Sequence, residues 1–230
     1  MKYCTIEGGS YYGKTTTINL LSQQGIHTFG EVEPSQPKSG GPSSIDKYAA
    51  EIDVYIRAEE RRSERIRQLP PDTDLVIADR SIFSTITYQD LQAEFGADRQ
   101  KGRIEARRRA REYAVEQIDA AVTTGRILVP NCMVVMFVPD RQEFTDRVLE
   151  RGSVNSPLAL FEGSSFWAEQ IFASGNQVLG NKSVVPYSVP TASLLNKRLS
   201  ATQIASDVLS VIRNLHTTNN PRPVRTLQRQ

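Results

Sequence analysis

Histidine and cysteine, which supply many of the zinc ligands and all of the disulfides in proteins, are scarce in this sequence. Among 230 residues there are two histidines, His27 and His216, and two cysteines, Cys4 and Cys132. Two histidines leave a histidine-based metal site with too few ligands, which argues against one. Both cysteines lie inside apolar runs, so we predict buried free thiols rather than a disulfide or a metal site.

The sequence also lacks an excess of either charge and any long apolar run. Its 28 basic and 26 acidic residues leave a formal net charge of +2, which gives no reason to expect a nucleic-acid partner. No segment reaches the roughly 20 apolar residues of a transmembrane helix. The strand pattern that starts at Lys2 predicts no signal peptide. We therefore expect a cytoplasmic protein without a membrane partner.

Short apolar segments alternate with longer helical patterns along the chain. The predicted strands are 2–7, 26–32, 75–78, 133–138 and 182–189. The predicted helices are 14–24, 46–69, 82–95, 103–123, 140–151, about 164–174 and 201–214. This alternation predicts an α/β fold with a parallel sheet covered by helices on both faces. We expect one domain, residues 1–216, and a disordered tail, residues 217–230.

A glycine-rich segment follows the first predicted strand and opens the first predicted helix. It fits the pattern G-x-x-x-x-G-K-[ST], and the strand-to-helix context is the one in which that pattern binds phosphate. The predicted phosphate-binding residues are Gly8, Gly9, Ser10, Tyr11, Tyr12, Gly13, Lys14, Thr15 and Thr16.

The residue types of this loop suit a nucleoside triphosphate. Gly8 and Gly13 allow the backbone to turn and to bring its N–H groups against phosphate oxygens. The helix N-terminus adds a partial positive charge. We expect the Lys14 ammonium to reach the β- and γ-phosphates of ATP and the Thr15 hydroxyl to hold Mg²⁺.

A second candidate element closes the third predicted strand, where Asp79-Arg80-Ser81 follows an apolar run. Ligands bind at the carboxyl ends of parallel strands, so Asp79 is predicted to hold Mg²⁺ as well. Arg80 is predicted to neutralise the transferring phosphoryl group or to clamp the acceptor. The alternative is that Asp79 only caps the next helix and Arg80 lies in solvent.

These motifs together resemble the thymidylate kinase and deoxynucleoside kinase superfamily. The resemblance rests on the phosphate loop, on Asp79-Arg80-Ser81, and on Tyr88-Gln89 after it. It implies a P-loop kinase fold with a five-stranded parallel sheet, and transfer of the ATP γ-phosphoryl group to a nucleoside or a nucleoside monophosphate. Similar kinases are commonly homodimers.

The resemblance also implies a lid, at about residues 141–165, whose arginines close over the phosphates. Arg147 and Arg151 match them, and their i, i+4 spacing puts both on one helix face. A solvated helix face is the alternative. The Asp-Arg-Phe-Glu motif of thymidylate kinase lids is incomplete here, where Ala159-Leu160-Phe161-Glu162 stands.

The acceptor pocket is less determined by the sequence. By resemblance, Tyr55 stacks on a base and Arg62, or Arg61 if the alignment slips by one, bonds to it. Glu33 matches the general base of deoxynucleoside kinases through a Glu-Pro pair alone. The remaining candidates for substrate contact are Phe83, Tyr88 and Gln89. For Tyr55 and its neighbours the alternative is an ordinary amphipathic helix packed on the sheet.

Three functions compete at this stage. The first is a nucleoside monophosphate kinase that converts dTMP to dTDP, and the second is a deoxynucleoside kinase with Glu33 as the base. A phosphate acceptor needs an arginine clamp, whereas a free hydroxyl needs a positioned carboxylate. The third is a nucleotide-binding module without turnover. The Asn-Lys-x-Asp motif of guanine-specific switches is absent from Asn181-Lys182-Ser183-Val184, the segment closest to it.

Overall fold

Five parallel strands form the centre of the fold. The computed structural model describes residues 1–32, 45–95, 101–153, 156–189 and 199–217. Its strands are β1 (Lys2–Glu7), β2 (His27–Phe29), β3 (Leu75–Asp79), β4 (Cys132–Phe137) and β5 (Val184–Ser188). They pair in the order β2-β3-β1-β4-β5, and every pairing is parallel. The predicted five-stranded parallel sheet is confirmed.

Helices cover both faces of this sheet. They are α1 (Lys14–Gln23), α2 (Ile45–Arg67), α3 (Phe83–Phe95), α4 (Lys101–Thr123), α5 (Arg141–Glu150), α6 (Pro157–Leu179) and α7 (Ala201–Thr217). Successive strand side chains point to opposite faces, and they enter two clusters. Tyr3 and Val76 pack with Ile66 of α2, whereas Cys4 and Ile77 belong to the larger core. No helix in the described ranges has the length and apolar character that crossing a bilayer requires.

The strand register brings the two candidate motifs to one edge of the sheet. Ile6, at the end of β1, lies opposite Asp79, the last residue of β3. Because the strands are parallel, the loops that follow them leave from the same edge. The phosphate loop and the Asp79-Arg80 turn are therefore neighbours, although more than 60 residues separate them in the sequence.

Two elements differ most in length from the sequence prediction. Strand β2 has 3 residues, so the predicted strand 26–32 is too long. Helix α6 has 23 residues, so the predicted helix 164–174 is too short. Glycine and serine lower the helix propensity of this segment, but packing requires a small residue at Gly175, where a Cβ would lie 2.8 Å from Met133 Sδ. Tertiary contacts override the local signal. Of the predicted tail, only Thr217 lies within the described residues.

The prediction of two free thiols is wrong. Cys4 and Cys132 form a disulfide between β1 and β4. The register places these residues directly opposite each other, with Cα atoms 4.9 Å apart, which is within the usual range for a disulfide. Both residues are buried, as predicted. The pairing could not be foreseen, because 128 residues separate the two cysteines.

Candidate active site

The glycine-rich segment forms a loop between β1 and α1. Gly8 and Gly13 have φ angles of 147° and 86°, a region that favours glycine. A Cβ on Gly8 would lie 2.6 Å from the Met136 carbonyl oxygen, so no larger residue fits there. Helix α1 begins at Lys14 without a side-chain cap. Its first N–H groups are thus available to an anion at the helix N-terminus.

Lys14 lies inside this loop. Its ammonium donates a hydrogen bond to the Gly9 carbonyl oxygen at 3.0 Å, and the residue is 6% exposed. Burial and, to a smaller extent, the charge of Arg80 lower the pKa of Lys14 to about 8, although the nearby acids oppose both effects. An incoming phosphate would replace the carbonyl as the partner of this ammonium and would favour its charged form.

Thr15, at the start of α1, and Asp79, at the end of β3, lie within hydrogen-bond distance of each other, where the sequence predicts Mg²⁺. The Thr15 hydroxyl donates to Asp79 Oδ2 at 3.2 Å. The second carboxylate oxygen of Asp79, Oδ1, is buried without a hydrogen-bond partner. Burial raises the pKa of Asp79, and the charge of Lys14 opposes that rise. Hydroxyl and carboxylate oxygens are the ligand types that Mg²⁺ takes, so these residues fit the ion.

Arg80 has an uncommon backbone conformation, with φ of 64°. Three hydrogen bonds hold it. The Arg80 N–H donates to the Ile6 carbonyl oxygen at 3.0 Å, Arg62 Nη2 donates to the Arg80 carbonyl oxygen at 2.7 Å, and the N–H of Ser81 donates to Glu7 Oε1 at 2.6 Å. A non-glycine residue in this region costs about 1–3 kcal/mol and persists where its surroundings fix it. These bonds to the end of β1 and to α2 fix the backbone from which the Arg80 side chain extends.

A buried ionic network lies behind this turn. Arg62 pairs with Glu59 at 2.5 Å and also donates to the Asp79 carbonyl oxygen at 3.2 Å. Glu7 accepts from the Ser84 hydroxyl at 2.8 Å. Burial raises the pKa of Glu7, and it raises that of Glu59 to about 7, while Arg62 opposes the shift of Glu59. Removing Arg62 or Glu59 alone would leave its ion-pair partner buried without compensation.

A cavity of about 620 Å³ opens beside the loop and the Arg80 turn. Helices α2, α3 and α6 supply most of its walls, and four aromatic residues line it: Tyr55, Tyr88, Phe95 and Trp167. The cavity is of the size that small-molecule ligands occupy in proteins. It lies next to Asp79, so a bound molecule would be adjacent to the candidate phosphate and metal positions.

The structure divides the predicted acceptor residues into two groups. Tyr55 and Tyr88 line the cavity. Phe83 and Gln89 are buried elsewhere, Phe83 in the core and Gln89 against Arg107 Nη1 at 2.8 Å. Arg62 is 4% exposed and engaged with the network described above, so it positions the turn rather than facing the cavity. Glu33 lies outside the described residues.

Both arginines that were predicted to belong to a lid approach the phosphate loop. Arg147 Nη1 is 3.9 Å from where a Cβ on Gly13 would lie, and its Nε donates to Glu143 at 2.9 Å. The Arg151 guanidinium lies 5.6 Å from the centre of the Tyr11 ring. The other loop tyrosine, Tyr12, is buried against Phe144 of α5, with ring centres 5.8 Å apart. Helix α5 thus packs on the loop, and it and the residue that follows it place two cations there.

Two charged or aromatic residues of the cavity wall, Glu31 and Trp167, were not predicted from the sequence. Glu31 follows β2, and its carboxylate lies 2.9 Å from Arg80 Nε. Trp167, from α6, places its ring 5.1 Å below the Arg80 guanidinium. The position of Glu31 at the carboxyl end of a strand was the available signal, whereas the Glu-Pro pair that matches the resemblance begins two residues later, at Glu33. Trp167 belongs to none of the sequence motifs described above, so the sequence offered no signal for it.

Comparison with known proteins agrees with this geometry. A family model described as AAA domain matches residues 3–126, more than half of the chain. No curated protein sequence matches significantly. The thymidylate kinase of Candida albicans has a similar structure, with a TM-score of 0.59, 14% identity, and coverage of 93% of this chain and 91% of that one.

Two further solved structures are similar. Deoxyadenosine kinase from M. mycoides with bound dATP gives a TM-score of 0.54 at 11% identity, covering 92% of this chain and 99% of that one. The NadR protein in complex with NAD and AMP-PNP gives 0.52 at 16% identity, covering 97% of this chain and 51% of that one. At these identities the likeness establishes the fold, which is the P-loop kinase fold expected from the sequence.

Proposed function

The chain belongs to the AAA domain family, and from that premise we propose that it transfers the γ-phosphoryl group of ATP to a nucleoside or a nucleoside monophosphate. One observation carries the proposal. The phosphate loop and the Thr15–Asp79 pair lie at the edge of a cavity of about 620 Å³. ATP on the loop and an acceptor in the cavity would therefore lie next to each other, as direct transfer of a phosphoryl group between two bound molecules requires.

The donor side supplies charge stabilisation. Lys14 and the N-terminus of α1 would bind the β- and γ-phosphates. Arg147 and Arg151 lie against the same loop and would neutralise charge on the transferring group. Thr15 and Asp79 would hold Mg²⁺, which when bound with ATP screens the phosphate oxygens. Little covalent chemistry is asked of the protein beyond positioning and electrostatics.

The acceptor class follows from the family resemblance and is supported by the aromatic cavity. A nucleoside monophosphate such as dTMP is the first candidate, in line with the thymidylate kinase among the similar structures. A free nucleoside is the second, in line with the deoxyadenosine kinase and with a NadR structure in complex with NR. The observation that favours the second is Glu31, a carboxylate in the cavity wall.

We further propose that residues 1–216 form one kinase domain whose lid includes α5 and the start of α6. A homodimer in the cytoplasm stays a prediction from the resemblance and the composition. Residues 154 and 155, inside the proposed lid, lie outside the described ranges.

The test is a product assay. Purified protein is mixed with Mg²⁺ and ATP against a panel of nucleosides and their 5′-monophosphates, and products are separated by chromatography. We expect a new phosphorylated product with the wild type, none with Lys14→Ala, and an unchanged yield with Glu105→Gln on the exposed face of α4. If ATP binds but no acceptor in the panel is phosphorylated, the proposal fails and a nucleotide-binding module takes its place.

A further inference from the structure

The only tryptophan of the chain, Trp167, lies in the wall of the cavity. It belongs to α6 and is 1% exposed. Its ring packs in the larger of the two hydrophobic clusters, where close packing leaves a large side chain little freedom to move. A group that rests on this ring is therefore held in one place.

The group that rests on it is the guanidinium of Arg80, 5.1 Å from the centre of the ring. A cation is attracted to the face of an aromatic ring within about 6 Å, and tryptophan attracts it most strongly. The attraction grows when the pair is shielded from water. This pair is shielded, since the Arg80 side chain is 19% exposed and the tryptophan is almost fully buried.

The other described partner of the Arg80 guanidinium is less firmly held. The Glu31 carboxylate lies 2.9 Å from Arg80 Nε, but the Glu31 side chain is 46% exposed. Solvent and salt weaken an ion pair that includes an exposed group. The hydrogen bonds at the turn fix the backbone of Arg80 and leave the rotations of its long side chain open. The ring of Trp167 is thus the rigid constraint on the position of this charge.

Helix α6 contacts the phosphate loop with the same face that carries the tryptophan. Ser164 precedes Trp167 by three residues, a spacing that puts both on one side of a helix. A Cβ on Gly9 would lie 2.6 Å from Ser164 Cβ, so the loop and the helix touch there. The Gly9 carbonyl oxygen accepts the hydrogen bond from Lys14. One face of α6 therefore supports both the residue that anchors Lys14 and the ring that holds Arg80.

From this arrangement we propose that Trp167 is a positioning residue, whose indole ring holds the Arg80 guanidinium between the phosphate loop and the cavity. The inference rests on the proposed function, in which the transferring group passes through that region. Trp167 acts through Arg80 in this role and not by contact with the reacting atoms. Because the ring places a charge that stabilises the transition state, its loss should lower kcat more than it weakens ATP binding.

A substitution series at Trp167 tests the role of the ring. Tyrosine and phenylalanine keep a ring face that attracts a cation less strongly, whereas leucine has none. We expect kcat to fall about threefold for Trp167→Phe and about tenfold or more for Trp167→Leu, with KM for ATP within about twofold of the wild type. Trp167→Tyr should resemble the phenylalanine variant. Equal kcat values for the leucine and phenylalanine variants would overturn the inference.

A change in the core that leaves the ring intact is the control for this series. Ile171 is fully buried on α6, one turn after Trp167, and it does not line the cavity. Ile171→Ala should lower stability by leaving a cavity in the core, yet the folded fraction should keep the kcat of the wild type. Circular dichroism fixes a temperature at which each variant is folded. A loss of kcat in Ile171→Ala as large as that in Trp167→Leu would mean that the tryptophan acts through stability alone, which would overturn the inference.

A double-mutant cycle tests whether the ring acts through Arg80. Arg80→Gln removes the cation, so adding Trp167→Leu to that variant should change kcat by less than about twofold. Effects that multiply would show that the tryptophan serves another purpose, and they would overturn the inference.

The closing experiment needs neither ATP nor an acceptor. Since Trp167 is the only tryptophan, the fluorescence of the protein excited at the indole band reports on this ring alone. A charge close to an indole ring shifts its emission, so Arg80→Gln should change the emission maximum. Arg109→Gln, which removes a charge from the exposed face of α4, should leave it unchanged. An unchanged spectrum in Arg80→Gln would overturn the inference.

The outcomes separate this inference from the proposed function. An unchanged spectrum together with Lys14-dependent product would leave the proposed function standing and overturn the inference alone. A changed spectrum without product from any acceptor would show a contact that serves no transfer, so both would fail. A changed spectrum together with the expected order of kcat values supports both.

Discussion

The donor side and the acceptor side of this site differ in charge and in origin. The donor side is one continuous segment, residues 8–15, with Arg147 of α5 and Arg151, which follows α5, against it. The acceptor side is a cavity whose walls come from α2, α3, α6 and the residues after β2 and β3. Cations dominate the first, whereas carboxylates and aromatic rings dominate the second.

In the proposed function, this difference assigns a separate task to each side. A triphosphate carries most of its charge in the phosphates, so the donor side requires fixed positive groups. The acceptor side has to bind a ring and orient one reacting oxygen, which apolar walls and a few polar groups achieve. Asp79 and Arg80 lie on the boundary, and the buried network behind them fixes both.

The largest expected effect is at Lys14. Lys14→Ala removes a cation that meets the developing charge, so kcat/KM for ATP should fall on the order of 10⁴-fold, or about 5 kcal/mol of transition-state stabilisation. Steady-state kinetics measures it. The acceptor binding constant should be unchanged, and a comparable loss of acceptor affinity would mean that the two sides are not separate.

A loss of stability, not of activity, is expected when the buried network behind Asp79 and Arg80 is broken. Arg62→Leu leaves Glu59 buried without its partner, so the free energy of unfolding should fall by about 3–5 kcal/mol. Denaturant titration measures it, with the exposed Arg109→Leu as the matched control, which should change it by less than about 0.5 kcal/mol. An unchanged midpoint for Arg62→Leu would contradict the positioning role assigned here.

The two arginines of the proposed lid, Arg147 and Arg151, are expected to differ in their effect on kcat. Arg147 is partly buried next to Gly13, whereas Arg151 is exposed over Tyr11. Arg147→Ala should therefore lower kcat about 10²-fold, the size seen when one donor to developing charge is removed. Arg151→Ala should lower it by about tenfold or less. The reverse order would place Arg151, not Arg147, on the transferring group.

An effect of about the same size as that of Arg151→Ala is expected in the pH dependence of ATP binding. The pKa of Lys14 is lowered to about 8, so its ammonium is charged below that pH and neutral above it. ATP affinity, measured by calorimetry, should thus fall as pH rises from 7.5 to 9.5, by about tenfold. Lys14→Ala should show a flat profile over the same range. A wild-type profile as flat as that of the variant would count against the buried ammonium.

The sequence could predict the donor side because its information is local. Residues 8–15 form a contiguous motif between a strand and a helix, and the parallel sheet follows from the alternation of elements. Asp79 and Arg80 were also predictable, since they end an apolar strand. The approach of Arg147 and Arg151 to the loop agrees with the resemblance, although their roles stay a prediction.

The acceptor side was less predictable because it is assembled from distant elements. Helical periodicity groups Tyr55 and Arg62 on one face of α2. In the structure Tyr55 lines the cavity, whereas Arg62 is bonded to the backbone of the turn that follows β3. Phe83 and Gln89 were predicted to contact substrate but are buried elsewhere. The disulfide depended on strand register, which neither cysteine reveals by itself.

The most direct test of the central claim follows the γ-phosphorus of ATP by ³¹P NMR. The protein is mixed with Mg²⁺, ATP and an acceptor panel under single-turnover conditions. The account predicts loss of the γ signal, formation of ADP, and a new phosphate ester signal on the acceptor that is absent with Lys14→Ala. A γ-phosphorus that remains in ATP, or appears only as inorganic phosphate, would contradict it.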